Sequence, residues 1–151
     1  MRLLALVVTL FAGVFYVVKD YHTSRDIDAW MDRAQVAADR EDMLEYLHTL
    51  EANLEQRGMT QGHFALVFKR PDNDLGLQYR AIQRIIERLE GIAEIPTSET
   101  AYQVALDDIR GTIREMPRPA SGWVWSHYWG LAVLVLAALF AAWFFTPLSR
   151  Q

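Results

Sequence analysis

The sequence predicts an all-α membrane protein in which two transmembrane helices flank a small soluble bundle of three to four helices. An uncharged run lies near each end of the chain, and the acidic segment between the runs has apolar residues at helical spacing. The predicted units are an N-terminal anchor at 1–18, a soluble domain at 19–120 with an irregular loop at 58–74, an aromatic-flanked transmembrane helix at 121–146 and a short tail at 147–151.

The first run, Leu3–Val18, holds sixteen uncharged residues between Arg2 and Lys19. A cleaved signal peptide would end in small residues, whereas this run ends in aromatic and branched ones, which favours an uncleaved anchor. Small residues at four-residue steps predict a face on which another helix can approach closely. That face consists of Ala5, Thr9 and Gly13.

The second run, Trp129–Thr146, has eighteen uncharged residues. As a helix it reaches about 27 Å, close to the hydrocarbon thickness of a bilayer. Aromatic rings collect at membrane interfaces, so the flanking rings are predicted to be interfacial anchors. These anchors are Trp123, Trp125, Tyr128, Trp129 and Trp143. A second small-residue face is predicted to pack on the first span and comprises Ala137, Ala138, Ala141 and Ala142.

Two spans place both termini on one side of the membrane. The tails carry Arg2 and Arg150 but no acidic residue, and the long middle segment can cross regardless of its charge. We therefore predict a bacterial inner-membrane protein with both termini in the cytoplasm and residues 19–128 outside it.

The start of the soluble domain allows two arrangements. Apolar residues follow helical spacing over 27–38, lapse around Asp39 and resume over 43–54, and Gly58 provides a helix stop. The pattern fits either one long helix that continues from the first span or two helices joined by a tight turn at Asp39.

The segment 58–74 is predicted to be irregular. Within it, 63–68 is apolar enough for a short strand, although no second strand candidate exists in the chain. Three interpretations stay open: a loop that covers the helices, an edge that pairs with another chain, or a loop that grazes the membrane with help from Lys69 and Arg70. The apolar residues in question are Phe64, Leu66 and Phe68.

Two further amphipathic helices complete the predicted bundle, one over 75–92 and one that ends at Pro117. The N-cap candidates are Asp72, Asn73 and Asp74 for the former helix and Thr97 and Ser98 for the latter.

Arginines at four-residue steps form a ridge, Arg80, Arg84 and Arg88, on the former helix. Like charges at this spacing repel, so an opposite charge or solvent should compensate them. The ridge either packs beside the acidic first helical region, or is solvated, or binds an anionic lipid headgroup or an acidic partner subunit.

No residue pattern identifies a reaction. Glu45 and His48 form one E-x-x-H pair, but a di-iron bundle needs two such pairs, and adjacent Asp107 and Asp108 point to different sides of a helix. Nucleotide-binding and nucleophile-elbow motifs and cysteines are absent from the sequence. The soluble segment has an excess of six acidic residues, which disfavours nucleic acid. We therefore predict no enzyme, no metal and no cofactor.

The predicted function is that of a non-catalytic accessory subunit of a larger membrane complex. Its partners would be integral membrane subunits, with a homo-oligomer and an anionic lipid as further candidates. The alternative is an extracytoplasmic helical sensor module that signals through a partner protein, because an anchored bundle between two spans is the layout of such sensors. A lipid, pigment or quinone near the interfacial aromatic residues is left open by the sequence.

Overall fold

The computed structural model describes residues 2–144, and over this range the chain is all-helical. The described residues contain no β-strand; the apolar stretch at 63–68 is a loop, with one isolated bridge between His63 and Asp74. The seven α-helices of this range are α1 (Arg2–Asp26), α2 (Asp28–Val36), α3 (Arg40–Gln56), α4 (Leu75–Gly91), α5 (Thr100–Glu115), α6 (Ala120–His127) and α7 (Trp129–Phe144). Short 3₁₀ turns lie at Pro71–Asn73 and Ile92–Glu94.

The first two helices form one long rod. Helix α1 continues past the predicted anchor boundary at 18, and α2 follows it after a slight break at Ile27. The combined helix Ala5–Val36 is long and apolar enough to cross a membrane. The bent pair Thr100–His127 and Trp129–Trp143 meets the same criterion if its two parts form one span.

A tight turn at Asp39 separates α2 from α3, which confirms that alternative for the start of the domain. The Asp39 side chain accepts a 2.8 Å hydrogen bond from the backbone N–H of Asp42 and so caps α3. Helix α3 ends before Gly58, whose φ of 68° is the left-handed conformation that suits glycine after a helix.

The α2–α5 helices form a bundle around one apolar core. Each contributes its predicted stripe, and the largest fully buried side chains come from every one of them. They include Met31, Met43, Leu47, Leu50, Leu89, Leu106, Ile109 and Ile113. Burial of these stripes, rather than any local motif, holds the four helices together.

One of the two predictions of helix N-caps was right and the other was wrong. Asp74 caps α4 by accepting a 3.0 Å hydrogen bond from the N–H of Leu77, as predicted. The predicted caps of α5 were wrong, because α5 begins only at Thr100. A turn closed by the 2.9 Å bond from Glu99 N to Pro96 O takes up Thr97 and Ser98 before the helix starts.

The predicted helix at 121–146 is broken at Tyr128 into α6 and α7, with a bend of 45°. The Tyr16 hydroxyl donates to the backbone carbonyl of Tyr128, so this carbonyl is held by a residue from another helix at the break. The predicted end at 146 and the tail 147–151 lie outside the described residues.

The bundle has a near end, where it meets α1 and α7, and a far end. The chain runs from the near end to the far end along α1 and α2 and returns to the near end along α3. It runs to the far end again along α4 and returns along α5. The α3–α4 connection therefore lies at the near end. Arg57, at the end of α3, confirms this position because it bonds to Thr23 and Asp26 of α1.

Candidate docking surfaces

Helices α1 and α7 pack against each other through small residues. Ala5, Ala12 and Ala142 are the buried members of this pair. Gly13, predicted on the same face as Ala5, is exposed, and a Cβ placed on it would meet nothing within 4 Å. A seven-residue step returns to within about 20° of the starting direction on a helix, whereas an eight-residue step deviates by about 80°. Ala12 therefore occupies the place that Gly13 was expected to fill.

The other predicted small residues lie beside this contact. Thr9 is half-buried, and its hydroxyl donates to the carbonyl of Ala5 at 2.8 Å. Ala138 and Ala141 are half-buried and Ala137 is exposed. The pairing buries little of either helix, so large apolar side chains face outward. Examples are Leu6, Leu10 and Phe11 on α1 and Val133, Leu134 and Leu136 on α7.

An aromatic junction fastens α6 to α1. The Trp125 ring stacks on Tyr16 with 4.6 Å between centroids, and Phe15 meets Tyr128 edge-on at 5.1 Å. The Lys19 ammonium lies 5.7 Å from the centroid of Phe15 and 5.8 Å from that of Tyr128. Next to this junction, an apolar groove between α1 and α7 is open to the surroundings. The sequence did not predict Tyr16 and Lys19 as residues of this junction, because no local pattern indicates a partner on another helix.

The predicted interfacial anchors differ in exposure. Trp125, Trp129 and Trp143 are exposed and Tyr128 is half-buried. Trp123 is buried and stacks on His127 at 4.5 Å, so it packs within the junction instead of facing outward.

A polar cluster joins α3 to α1. Arg57 donates to the Thr23 hydroxyl at 3.2 Å and forms an ion pair with Asp26, while the Asn53 amide donates to the Asp26 carbonyl at 2.8 Å. Burial opposes the charge of Asp26, but hydrogen bonds from Arg57 and Arg25 outweigh it and hold the pKa of Asp26 below its usual value. The carboxylate thus stays charged and fixes the near end of the bundle to α1.

The arginine ridge is exposed, and its one ion pair among the described residues joins Arg88 to α5, not to the acidic first helical region. Arg88 donates to Asp108 at 2.6 Å. Within residues 2–144, no carboxylate lies within ion-pair distance of Arg80 or Arg84. The acidic residues of α3 instead accept from Tyr79, whose pKa is raised by its hydrogen bond to Glu55.

The three apolar residues predicted to act together in the α3–α4 connection, Phe64, Leu66 and Phe68, differ in their environment. Phe64 is half-buried against α6: a Cβ added to Gly122 would lie 2.7 Å from the Phe64 ring. The next apolar side chains point outward, with Leu66 54%, Val67 71% and Phe68 75% exposed. We call residues 66–68 the loop tip.

Possible chemical groups are dispersed over the bundle. His48 lies 3.8 Å from Glu51, and Asp107 pairs with Arg110 at 2.7 Å. Among the described residues, no three His, Asp or Glu side chains converge as metal ligands would. An enclosed space in the core, lined by Ile27, Met31 and neighbouring residues, measures about 10 Å³, which is room for one water at most.

Comparisons of the chain with protein-family models, with curated proteins and with solved structures give no match.

Proposed function

We propose that this protein is a non-catalytic accessory subunit that braces a larger complex in a bacterial inner membrane. Segments Leu3–Val18 and 129–146 would be its spans, and the α2–α5 bundle would stand outside the cytoplasm. Integral membrane subunits would dock on the exposed faces of α1 and α7. A second copy of the chain is a further candidate partner.

The observation that carries the proposal is the rigid junction between helix pair and bundle. Stacking of Trp125 on Tyr16 and the bond from Tyr16 to the Tyr128 carbonyl fix α6 to α1, and the Arg57–Asp26 ion pair fixes the end of α3 to α1. The buried residues of α6 in turn belong to the core of the bundle. Aromatic stacks and partly buried charged hydrogen bonds each contribute roughly 0.5–3 kcal/mol. A bundle held in this way suits a brace, because a force on it passes directly to the spans.

The properties of the helices and the core support the same role. The proposed spans carry no Asp, Glu, Lys, Arg or His between Leu3 and Val18 or between Trp129 and Trp143, whereas ion and proton pathways usually contain one. The enclosed core space holds no more than a water molecule. A scaffold that acts by contact alone needs neither feature.

One observation favours the alternative, a sensor module that signals through a partner. Helices α1 and α2 form a nearly continuous rod, Ala5–Val36, from the proposed span to the far end of the bundle. Such a rod can carry a displacement from the bundle to the membrane. A sensor would still need a stimulus that binds the bundle and a partner that reads α1.

The experiment is purification of the tagged full chain from its native membrane in mild detergent, with native mass spectrometry of the intact assembly. We expect a fixed stoichiometry with larger integral membrane proteins. Recovery of the chain alone, or only with itself, would contradict the accessory role.

Gly13 provides a matched pair of variants for this experiment. It lies open on α1, so Gly13→Leu fills a close-approach site without disturbing the α1–α7 contact. Val14→Leu changes an exposed neighbour and is the control. If partners dock on this face, Gly13→Leu releases them and Val14→Leu retains them. Retention by both variants would assign docking to another face.

A further inference from the structure

We infer that the loop tip, residues 66–68, rests on the bilayer surface as a third membrane contact, with Lys69 and Arg70 at the lipid headgroups. This inference depends on the proposed spans. It selects a lipid surface among the three interpretations that the sequence left open. It also separates Phe64, which seats the loop on α6, from the residues that would touch the membrane.

The tip lies at the near end of the bundle. Three contacts on different sides of the α3–α4 connection place it there: Arg57 bonds to Thr23 of α1, Phe64 packs on Gly122 of α6, and Pro71 shares a surface groove with Pro117 at the end of α5. Thr23 lies five residues after the first uncharged run and Gly122 seven residues before the second, so both are close along the chain to the apolar helix pair. The connection therefore faces the side on which the membrane would lie.

The tip can reach the headgroup layer. Gly122 is one helical turn before Trp125, which stacks on Tyr16 near the end of the uncharged run. Its seat is thus within about 5 Å of that level, measured along a helix. The two to four residues beyond Phe64 span at most roughly 7–14 Å, and the headgroup layer on each side of the hydrocarbon is several ångströms thick.

Asn73 holds the tip in its outward conformation. This buried side chain donates to the carbonyl of Phe68 at 2.7 Å and accepts from the N–H of Arg70 at 3.0 Å. Its backbone carbonyl accepts from the N–H of Phe64 at 3.0 Å. The backbone on both sides of the loop tip is therefore tied to one residue, and in this conformation the side chains of residues 66–68 are exposed.

Composition selects lipid as the occupant. Leu66, Val67 and Phe68 are 54%, 71% and 75% exposed, and the next two residues, Lys69 and Arg70, are exposed cations. An apolar tip followed by cations matches the order of acyl chains and anionic headgroups at a membrane surface. These observations disfavour the pairing of residues 63–68 with a strand of another chain. The carbonyl of Phe68 is already bonded to Asn73, and no strand forms in the described chain.

The test uses the full chain with single cysteines, since the sequence contains none. Spin labels are placed by Val67→Cys in the tip, by Leu10→Cys in the proposed span and by Val104→Cys on the exposed side of α5. Each protein is reconstituted into vesicles of phosphatidylethanolamine and phosphatidylglycerol. Collision rates are then measured with oxygen, which enters lipid, and with a nickel chelate, which stays in water.

We expect the label at position 67 to lose nickel accessibility relative to that at 104 and to gain oxygen accessibility, as at position 10. The double variant K69E/R70E should restore nickel accessibility at position 67 in these anionic vesicles. A label at 67 that is as accessible to nickel as that at 104, while position 10 is shielded, would overturn the inference and leave a protein partner for the tip. Nickel access at position 10 would instead refute the proposed span. Continued shielding at 67 in K69E/R70E would overturn the role of the two cations.

Discussion

The contact between Phe64 and Gly122 makes a quantitative prediction for the variant Gly122→Ala. A Cβ at this position would lie 2.7 Å from the Phe64 Cδ2 and 3.0 Å from its backbone oxygen. Carbon atoms in van der Waals contact are about 3.5–4.0 Å apart, so Phe64 or α6 must move by roughly 1 Å. The ring alone cannot relieve this overlap, because the backbone carbonyl of Phe64 is also too close.

The magnitude follows from two opposing effects. Overpacking of a tight contact costs about 1–3 kcal/mol, while alanine in place of a helical glycine contributes about 0.5–1 kcal/mol. Gly122→Ala should therefore lower the free energy of unfolding by up to about 2.5 kcal/mol, and the midpoint by up to about 10 °C for a chain of this size. Gly111 in α5 is the matched control, since a Cβ there meets nothing within 4 Å. Gly111→Ala should raise the midpoint by about 2–4 °C.

The assay is thermal unfolding followed by circular dichroism in one detergent, with Gly122→Ala measured in wild-type and Phe64→Ala backgrounds. Removal of the ring should shrink the cost of the alanine, because the ring atoms that the Cβ would meet disappear with it. Stabilisation by Gly122→Ala equal to that by Gly111→Ala would refute the packing of Phe64 on α6. An unchanged cost in the Phe64→Ala background would assign the strain to another neighbour.

Three further predictions follow from the polar contacts and the proposed orientation. Since the pKa of Asp26 is lowered in the folded chain, its ionised form stabilises the fold above about pH 4, and this contribution disappears as the pH falls through the lowered pKa. Asp26→Asn should lower the unfolding midpoint at pH 7 and flatten its decline between about pH 5 and 2; an unchanged pH profile would contradict the pairing with Arg57. Arg110 donates to the two carbonyls that follow α2, at 2.7 and 3.1 Å, so Arg110→Met should cost about 1–2 kcal/mol in urea unfolding, whereas Arg114→Met, an exposed change on the same helix, should cost little. Ser98→Cys, exposed at the far end of the bundle, should react with a membrane-impermeant maleimide added outside intact spheroplasts, and reaction only after lysis would reverse the proposed orientation.

The local signals of the sequence were reliable where neighbouring residues decide the outcome. Asp74 caps the helix that begins at the next residue by accepting the N–H three residues ahead, the turn at Asp39 separates α2 from α3, and Gly58 follows the end of α3, because each acts on its own stretch of backbone. Thr97 and Ser98 failed as caps since Pro96 closes a turn over them. Both caps and turns draw on the same residue types, so spacing alone could not separate the two.

The contacts of the candidate docking residues could not be predicted from the sequence. The three apolar residues of the α3–α4 connection have the same character in the sequence, yet Phe64 packs on Gly122 while Leu66 and Phe68 are exposed. The ridge residue Arg88 pairs with Asp108, twenty positions away, and not with the acidic first helical region. These outcomes depend on which helices become neighbours, which no window of the sequence contains.

The sequence by itself determined the all-helical class, the approximate limits of α3 and α4, the apolar stripes of the bundle and the uncharged runs at each end. Each of these follows from the period of the α-helix and from the preferences of single residues. Only the tertiary structure decided that Tyr16 stacks on Trp125, that Ala12 rather than Gly13 meets α7, and that Asn73 holds residues 66–68 outward. Those features arise from contacts between distant parts of the chain, and burial of the common core selects them.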